Sequence, residues 1–385
     1  MSYRMTEAHM PGPLRPASLR VVNAMLGRGL GGLEQTLLDY GDALTLAGHE
    51  VHAVIHPDAA IRGALEARGA TWHPLPHLGA WDPFAVGRLR ELLRRLRPDA
   101  SFAHGNRAVG LLSRAGFSPA GLSRAGHQRI GAGPLIGVLQ NYKMHCGALT
   151  AACHPTQDLK RYARGQGVAD EDLFHIPNMV RVPAVPPRRG VQAPPVIGAM
   201  GRLVAKKGFD VFIAALGRLA AQGTAFRAVL AGDGEDAAAL RRLAAESGLA
   251  QLLSFPGWVD DKQTFFDGID MFCLPSHHEP FGIVLLEAMA QALPVVTTAS
   301  EGPSEIVRDG VDAIIVATAD PDALAGGLRL LLADQDRAAR LGAGAYRLVR
   351  DGYDLPRVAG RLDQALRRIV GSAAARVGRN VHASA

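Results

Sequence analysis

LPSHHEPFGIVLLEAMAQALPVV, residues 274–296, decides how this chain is read. It starts at the end of an apolar run, crosses a short polar loop, and enters a helix near Phe281–Gly282. Glu279 stands in that loop, and Glu287 lies some ~6–8 Å inside the helix at about 1.5 Å of rise per residue. Between them, the amides of Phe281, Gly282 and Ile283 open a helix N-terminus, a place that suits a phosphate. A nucleotide sugar laid across this element sets its sugar beside Glu279, its diphosphate on the amides and its ribose diol beside Glu287. Two glutamates eight apart also fit solvated charges around a capped helix. The neighbours Val284, Leu285, Ala288 and Met289 weigh against that for Glu287, because an unpaired charge on an apolar helix is costly to desolvate.

Upstream, GRLVAKKGFDVFIAAL (201–216) follows the strand expected at Val196–Met200. Arg202 and Lys207 would project from the carboxyl edge of the same sheet, a planar fork and a point charge able to neutralise a leaving diphosphate. A plain surface pair of basic residues fits as well, and Lys206 is better read that way. Farther back, Gly27-Arg28-Gly29-Leu30-Gly31-Gly32 joins the first strand to the first helix. Its glycines let amides approach a phosphate, although a tight strand-to-helix turn accounts for them equally. It is not a GxxxxGK[ST] loop. His104 closes the strand ASFAH, where it either contacts a sugar or serves as a structural hydrogen-bonder.

Around these segments the chain alternates short β-branched or apolar runs with longer amphipathic stretches, which predicts parallel α/β architecture. The first half offers strands at Leu19–Leu26, Glu50–Ile55, Thr71–Leu75, Ala100–His104, Pro134–Leu139 and Leu149–Cys153. The second offers Val196–Met200, Arg227–Ala231, Leu252–Phe255, Met271–Leu274, Pro294–Thr298 and Ala313–Val316. Helices are expected at Leu33–Ala47, Pro83–Leu96, Lys207–Ala221, Asp236–Glu246, Gly282–Ala292 and Pro321–Asp334. The proline-rich stretch VPAVPPRRGVQAPP (182–195) separates the two series and reads as a linker. The expected division is therefore a disordered N-terminus (1–18), a first Rossmann-like domain (19–182), a linker (183–195), a second Rossmann-like domain (196–353), a final helix (354–371) and a disordered tail (372–385). The cleft between two such sheets is a favoured ligand site.

At 385 residues two domains are the default, and 48% hydrophobic with 20% charged residues is ordinary for a globular protein. The polar N-terminus has no apolar h-region and no apolar run is long enough to span a bilayer, so a cytoplasmic protein is expected. Three cysteines without a CxxC pair, and fourteen histidines without HExxH, argue against disulfides and zinc. The net charge of +6 resides in residues 1–182, with 20 basic against 14 acidic side chains; the remainder is balanced at 22 each. That half suits an anionic partner.

Taken in order, these segments resemble the retaining family-4 glycosyltransferases of the GT-B fold. The pieces are Gly31-Gly32-Leu33-Glu34, IPN at 176–178, GRLVAKKG at 201–208, LAGDG at 230–234, FPGWV at 255–259, EPFGIVLLE at 279–287 and GPSEIVRDG at 302–310. They span roughly Leu19 to Tyr353. The resemblance implies that Arg202 and Lys207 bind the donor diphosphate, Glu287 the ribose, and that Glu279 sits beside the transferred sugar. It implies amides of Phe281–Ile283 and Gly31-Gly32 on the phosphates or sugar, His104 at the donor sugar, and the base near Gly257–Val259. It also implies a C-terminal helix crossing back to the first domain, and retention of configuration. One departure is SEGPSE (300–305), which lacks the doubled glycine of many relatives. In this scheme side chains supply the cations, so no cofactor or metal is required.

The expected donor is a UDP-, GDP- or ADP-linked sugar, and the acceptor a glycan or lipid-linked glycan in envelope, lipopolysaccharide or exopolysaccharide assembly. The helix at 83–98, carrying Arg88, Arg90, Arg94, Arg95 and Arg97 among leucines, fits either peripheral contact with an anionic membrane or a surface helix with its leucines on a sheet. The stretch 121–134 is a candidate acceptor loop. Other classes that fit the same cleft are a nucleotide-sugar epimerase or hydrolase and a non-enzymatic nucleotide- or nucleic-acid-binding protein. With 5% aromatics and no basic-aromatic interleaving, nucleic acid is disfavoured as a partner.

Overall fold

The computed structural model describes residues 17–29, 31–79, 81–116, 133–187, 190 and 192–382. Seven strands form the first sheet: β1 (Arg20–Met25), β2 (Glu50–Ile55), β3 (Thr71–Pro74), β4 (Ala100–His104), β5 (Leu135–Val138), β6 (Ala151–His154) and β7 (Leu173–His175). Helices α1 (Gly32–Leu46), α2 (Arg62–Ala67), α3 (Pro83–Leu96), α4 (Asn106–Ala115) and α5 (Gln157–Gly165) lie between them. The second sheet has six: β8 (Val196–Met200), β9 (Arg227–Ala231), β10 (Leu253–Gly257), β11 (Met271–Leu274), β12 (Val295–Thr298) and β13 (Ile314–Val316). Its helices are α6 (Phe209–Ala221), α7 (Ala237–Glu246), α8 (Lys262–Asp267), α9 (Ile283–Ala290), α10 (Glu301–Ile306) and α11 (Pro321–Ala333). Two further helices, α12 (Gln335–Gly352) and α13 (Leu355–His382), close the chain.

All pairings within both sheets are parallel. The orders are β3-β2-β1-β4-β5-β6-β7 and β10-β9-β8-β11-β12-β13, so each sheet reverses direction beside its first strand. Buried on both faces, the inner strands are nearly continuous apolar runs, such as VIGAM in β8 and MFCL in β11. The reversal points, β1/β4 and β8/β11, are where an open α/β sheet leaves a crevice at its carboxyl edge. β8 leads to Lys207 and its neighbour β11 leads to Glu279, so topology alone brings those two loops together.

In the first half, α3 and α4 cover one sheet face through Leu89, Leu93, Leu111 and Leu112. The leucines of α3 are thus on the sheet, and Arg88, Arg94, Arg95 and Arg97 face outward. α1 and α13 cover the opposite face: Leu355, Val358, Leu362, Leu366 and Ile369 pack with Tyr40, Phe102 and Val138. The chain crosses between halves twice, and the crossings are stitched side by side by Val180 N to Tyr353 O (3.0 Å) and Leu355 N to Val180 O (2.9 Å).

Helices α2, α4, α5, α8, α10 and α12 are absent from the expected set, and three further elements depart from it. β7, of three residues, is too short to show a period and was not anticipated. α6 begins at Phe209, because Gly208 adopts φ 64° and turns the chain after a short 3-10 turn at Ala205–Lys207. α13 continues to His382, so the tail expected from 372 is helical over most of its length. Most of the expected disordered N-terminus and of the candidate acceptor loop at 121–134 lies outside the described residues. Among the described residues no helix is long and apolar enough to cross a membrane.

Candidate functional site

Gly208 explains how the centre of the site is made. A β-carbon there would stand 2.1 Å from the carbonyl oxygen of Pro275, so only glycine lets the β8 and β11 loops touch backbone to backbone. The next loop residues lock the contact, with His277 N donating to Lys206 O at 3.0 Å. Lys207 then meets Glu279: its ammonium donates to Glu279 Oε2, and both side chains are largely buried. Ser276 Oγ lies 3.4 Å from the same oxygen. Lys206, next to Lys207, is exposed.

Glu279 is held by its backbone as well. Its amide donates to Glu301 Oε2 at 3.0 Å, and its carbonyl accepts from Gly302 N at 2.7 Å. Glu301 belongs to SEGPSE, the stretch that departs from a doubled glycine. Gly302 is nonetheless indispensable there, since a β-carbon would approach the Phe281 backbone to 2.4 Å. Gly282, at φ 98°, caps α9. The amides of Phe281, Gly282 and Ile283 donate to no described residue, which leaves the positive end of α9 facing the Lys207–Glu279 pair.

The first half approaches this centre through its glycine loop. A β-carbon on Gly31 would lie 3.6 Å from Arg202 Nη2, and one on Gly32 would lie 3.7 Å from Ile283 Cδ1. The loop, Arg202 and the start of α9 therefore converge. Glu34, in the first turn of α1, is drawn into the same corner: desolvation raises its carboxyl, opposed by its own backbone amide and by Arg202.

Deeper along the junction, Glu287 accepts two contacts from Lys262 Nζ, at 2.7 and 2.9 Å. Across from them α1 presents Gln35 and Asp39, linked at 2.8 Å. These residues, with Arg68, Met179–Arg181, Gln263, Phe266, Ile283, Ala290 and Gln291, line a cavity of about 210 Å³ between the halves. Burial pushes the Asp39 carboxyl up to about 7, helped by the nearby charges of Glu287 and Asp42 and opposed by Gln35 and Lys262. Lys262 and Asp39 carry no sequence signal; they meet Glu287 only through the tertiary fold.

His104, the strand-end histidine, is 1% exposed, and its Nδ1 is buried with no hydrogen-bond partner among the described residues. Its Nε2 donates to Asn23 Oδ1 at 2.8 Å, and Asn23 Nδ2 is committed to Leu37 O, which fixes the tautomer. Burial lowers its pKa to about 3, and Tyr40 meets its ring edge to face at 5.4 Å. The histidine is a neutral core group joining β4, β1 and α1. Val259, expected near the base, is half-buried beyond β10, next to Trp258, whose Nε1 donates to Asp260 Oδ1 at 2.8 Å.

Two family models divide the chain. Residues 30–182 match Glycosyltransferase Family 4, and residues 187–348 match Glycosyl transferases group 1. The chain is 30% identical over 329 residues to the lipopolysaccharide core biosynthesis glycosyltransferase LpsD of Rhizobium meliloti, covering 84% of this chain and 91% of that one. It is 40% identical over 147 residues to LpsE of the same organism, also described as a lipopolysaccharide core biosynthesis glycosyltransferase, covering 38% of this chain and 42% of LpsE. Among solved structures, Anabaena Alr3699/HepE in complex with UDP and glucose superposes with a TM-score of 0.76 at 19% identity, over 91% of this chain and 99% of that one. That likeness confirms the GT-B arrangement of two Rossmann-like sheets.

Proposed function

The chain belongs to the GT-B glycosyltransferases with family 4 and group 1 halves, and from that premise we propose that it transfers a sugar, with retention, from a nucleoside-diphosphate donor to a glycan of the cell envelope. The observation that carries this reading is the convergence of Arg202, the buried Lys207–Glu279 pair, the open amides of α9 and the Gly31–Gly32 loop at one junction. Cationic side chains of the second half and amides of both halves meet at one junction, and such preorganised charge around a departing diphosphate is commonly the largest catalytic contribution. In the proposed arrangement Arg202 and Lys207 neutralise the departing diphosphate, and Glu279 positions Lys207 and faces the oxocarbenium-like sugar. Glu287 takes the ribose hydroxyls in exchange for Lys262, and the backbone at Gly257–Val259 receives the base. With the cations supplied by side chains, the scheme needs no metal.

The lipopolysaccharide core enzymes among the relatives favour a lipopolysaccharide core acceptor, and the neighbour crystallised with UDP and glucose favours a UDP-linked hexose. Peripheral membrane contact fits the exposed Leu78, Trp81 and Phe84, which stand beside the outward arginines of α3. Flotation with anionic vesicles tests it: a Trp81→Ala, Phe84→Ala chain should float less than the native one, and equal flotation would remove the contact. For the reaction itself, UDP- and GDP-sugars are supplied with truncated lipopolysaccharide cores and the products weighed by mass spectrometry. A core heavier by one hexose supports the transferase. Free sugar alone supports a hydrolase, and an altered donor supports an epimerase.

A further inference from the structure

Away from that junction, the carboxyl edge of the first sheet gathers a second set of polar groups. The strands β2 and β3 are each followed by a buried histidine, His56 and His77, 3% and 7% exposed. Their rings meet edge to face with centroids 5.2 Å apart. Arg28, from the glycine loop, brings Nη2 to 3.0 Å from His56 Nε2. Arg107, in the first turn of α4, donates to Leu26 O at 3.0 Å, and His77 Nε2 donates to that same carbonyl at 3.1 Å. That bond puts the His77 proton on Nε2 and leaves a buried Nδ1 with no partner among the described residues.

The charge around this Nδ1 is one-sided. Neither Arg28 nor Arg107 has a carboxylate partner among the described residues. The two acids within range are committed elsewhere or solvated. Asp82 caps α3 and accepts from the amides of Leu78, Phe84 and Ala85, while Asp58 stands 3.6 Å from His56 with most of its side chain in solvent. Burial first, and then the arginines, hold both imidazoles below the ordinary histidine range.

We infer that Arg28, His56, His77 and Arg107 form a binding site for an acidic group on the acceptor glycan, a phosphate monoester or a sugar carboxylate. The arginines meet the charge, and His77 Nδ1 hydrogen-bonds to the acid or to a hydroxyl beside it. The inference rests on the transferase reading and names which class of acceptor the first half holds.

The full chain, labelled with ¹⁵N-histidine and saturated with whichever nucleoside diphosphate binds, is titrated with glucose 6-phosphate, glucuronate and glucose. The imidazole resonances of His56 and His77 should shift saturably with one or both acids and not with glucose; which acid acts separates phosphate from carboxylate. Arg107→Gln, a change at an exposed side chain, should weaken the response about tenfold, the loss of one charge-assisted contact. A response to neither acid, one that glucose reproduces, or one indifferent to Arg107→Gln would overturn the site. So would an acid displaced by the nucleotide, since the cluster would then belong to the donor phosphates. Nucleotide binding on the same sample, read as a melting shift, keeps the two readings apart. If the nucleotide binds and the histidines stay silent, only the acceptor site falls; if neither occurs, the transferase reading falls with it.

Discussion

Replacing Gly208 by alanine tests how closely the geometry of the site depends on one backbone contact. The substitution meets two obstacles. The residue sits at φ 64°, where a β-carbon costs about 1–2 kcal/mol. The new methyl would also lie 2.1 Å from Pro275 O. Ordinary carbon–oxygen contacts begin near ~3.3 Å, so the β8 and β11 loops must part by about 1 Å. Gly223 supplies the control, because it has φ 72° and no atom within 4 Å of its would-be β-carbon. Both variants carry the backbone strain, and only Gly208→Ala carries the clash. In urea unfolding Gly208→Ala should therefore lose about 1–3 kcal/mol more than Gly223→Ala. A displacement of about 1 Å between Lys207 and Glu279 should also lower turnover by about 100-fold, while Gly223→Ala stays near native. Equal stability and equal turnover of the two variants would refute the claim that this approach holds the site together.

Other outcomes follow from the same geometry. Lys207→Met leaves the buried Glu279 carboxylate unpaired, so urea unfolding should show a loss of about 2–4 kcal/mol. Adding Glu279→Gln should recover most of that stability without recovering turnover. If Glu287 holds the ribose, Glu287→Ala should weaken nucleotide binding about tenfold, and a 2′-deoxynucleotide should bind native and variant chains alike by titration calorimetry. Asp39 gives a pH signature. With its folded pKa raised to about 7, the native state holds a proton that the unfolded chain has released. Stability is therefore full below the ordinary carboxylate range and is lost as pH rises towards 7, by about 4 kcal/mol at most. Asp39→Asn should flatten the melting temperature between about pH 5 and about pH 8, and an unchanged profile would count against the buried carboxyl.

Much of the fold was legible because the inner strands of each sheet are buried on both faces and so stand out as apolar runs. The spans Glu50–Ile55, Ala100–His104, Val196–Met200, Arg227–Ala231 and Met271–Leu274 coincide with observed strands. β7 was not legible, since three residues carry no periodicity. For α3, packing shows where the leucines go, since they have a sheet to cover. In the site, Lys207, Glu279 and Arg202 could be brought together from strand ends alone, because β8 and β11 are neighbours at the reversal of the sheet. Lys262 and Asp39 could not, for nothing in their local sequence refers to Glu287. The burial of His104 was not legible either, for a related reason. A strand end marks the edge of the sheet, but whether the side chain there sees solvent depends on α1 lying over it.

Calorimetric titration of UDP, GDP and ADP into the native chain and into Lys207→Ala tests the central claim most directly. The account predicts selective binding of one nucleoside diphosphate, weakened at least about tenfold by the substitution. Undiminished binding to Lys207→Ala, or no binding of any of the three nucleotides to the native chain, would contradict it.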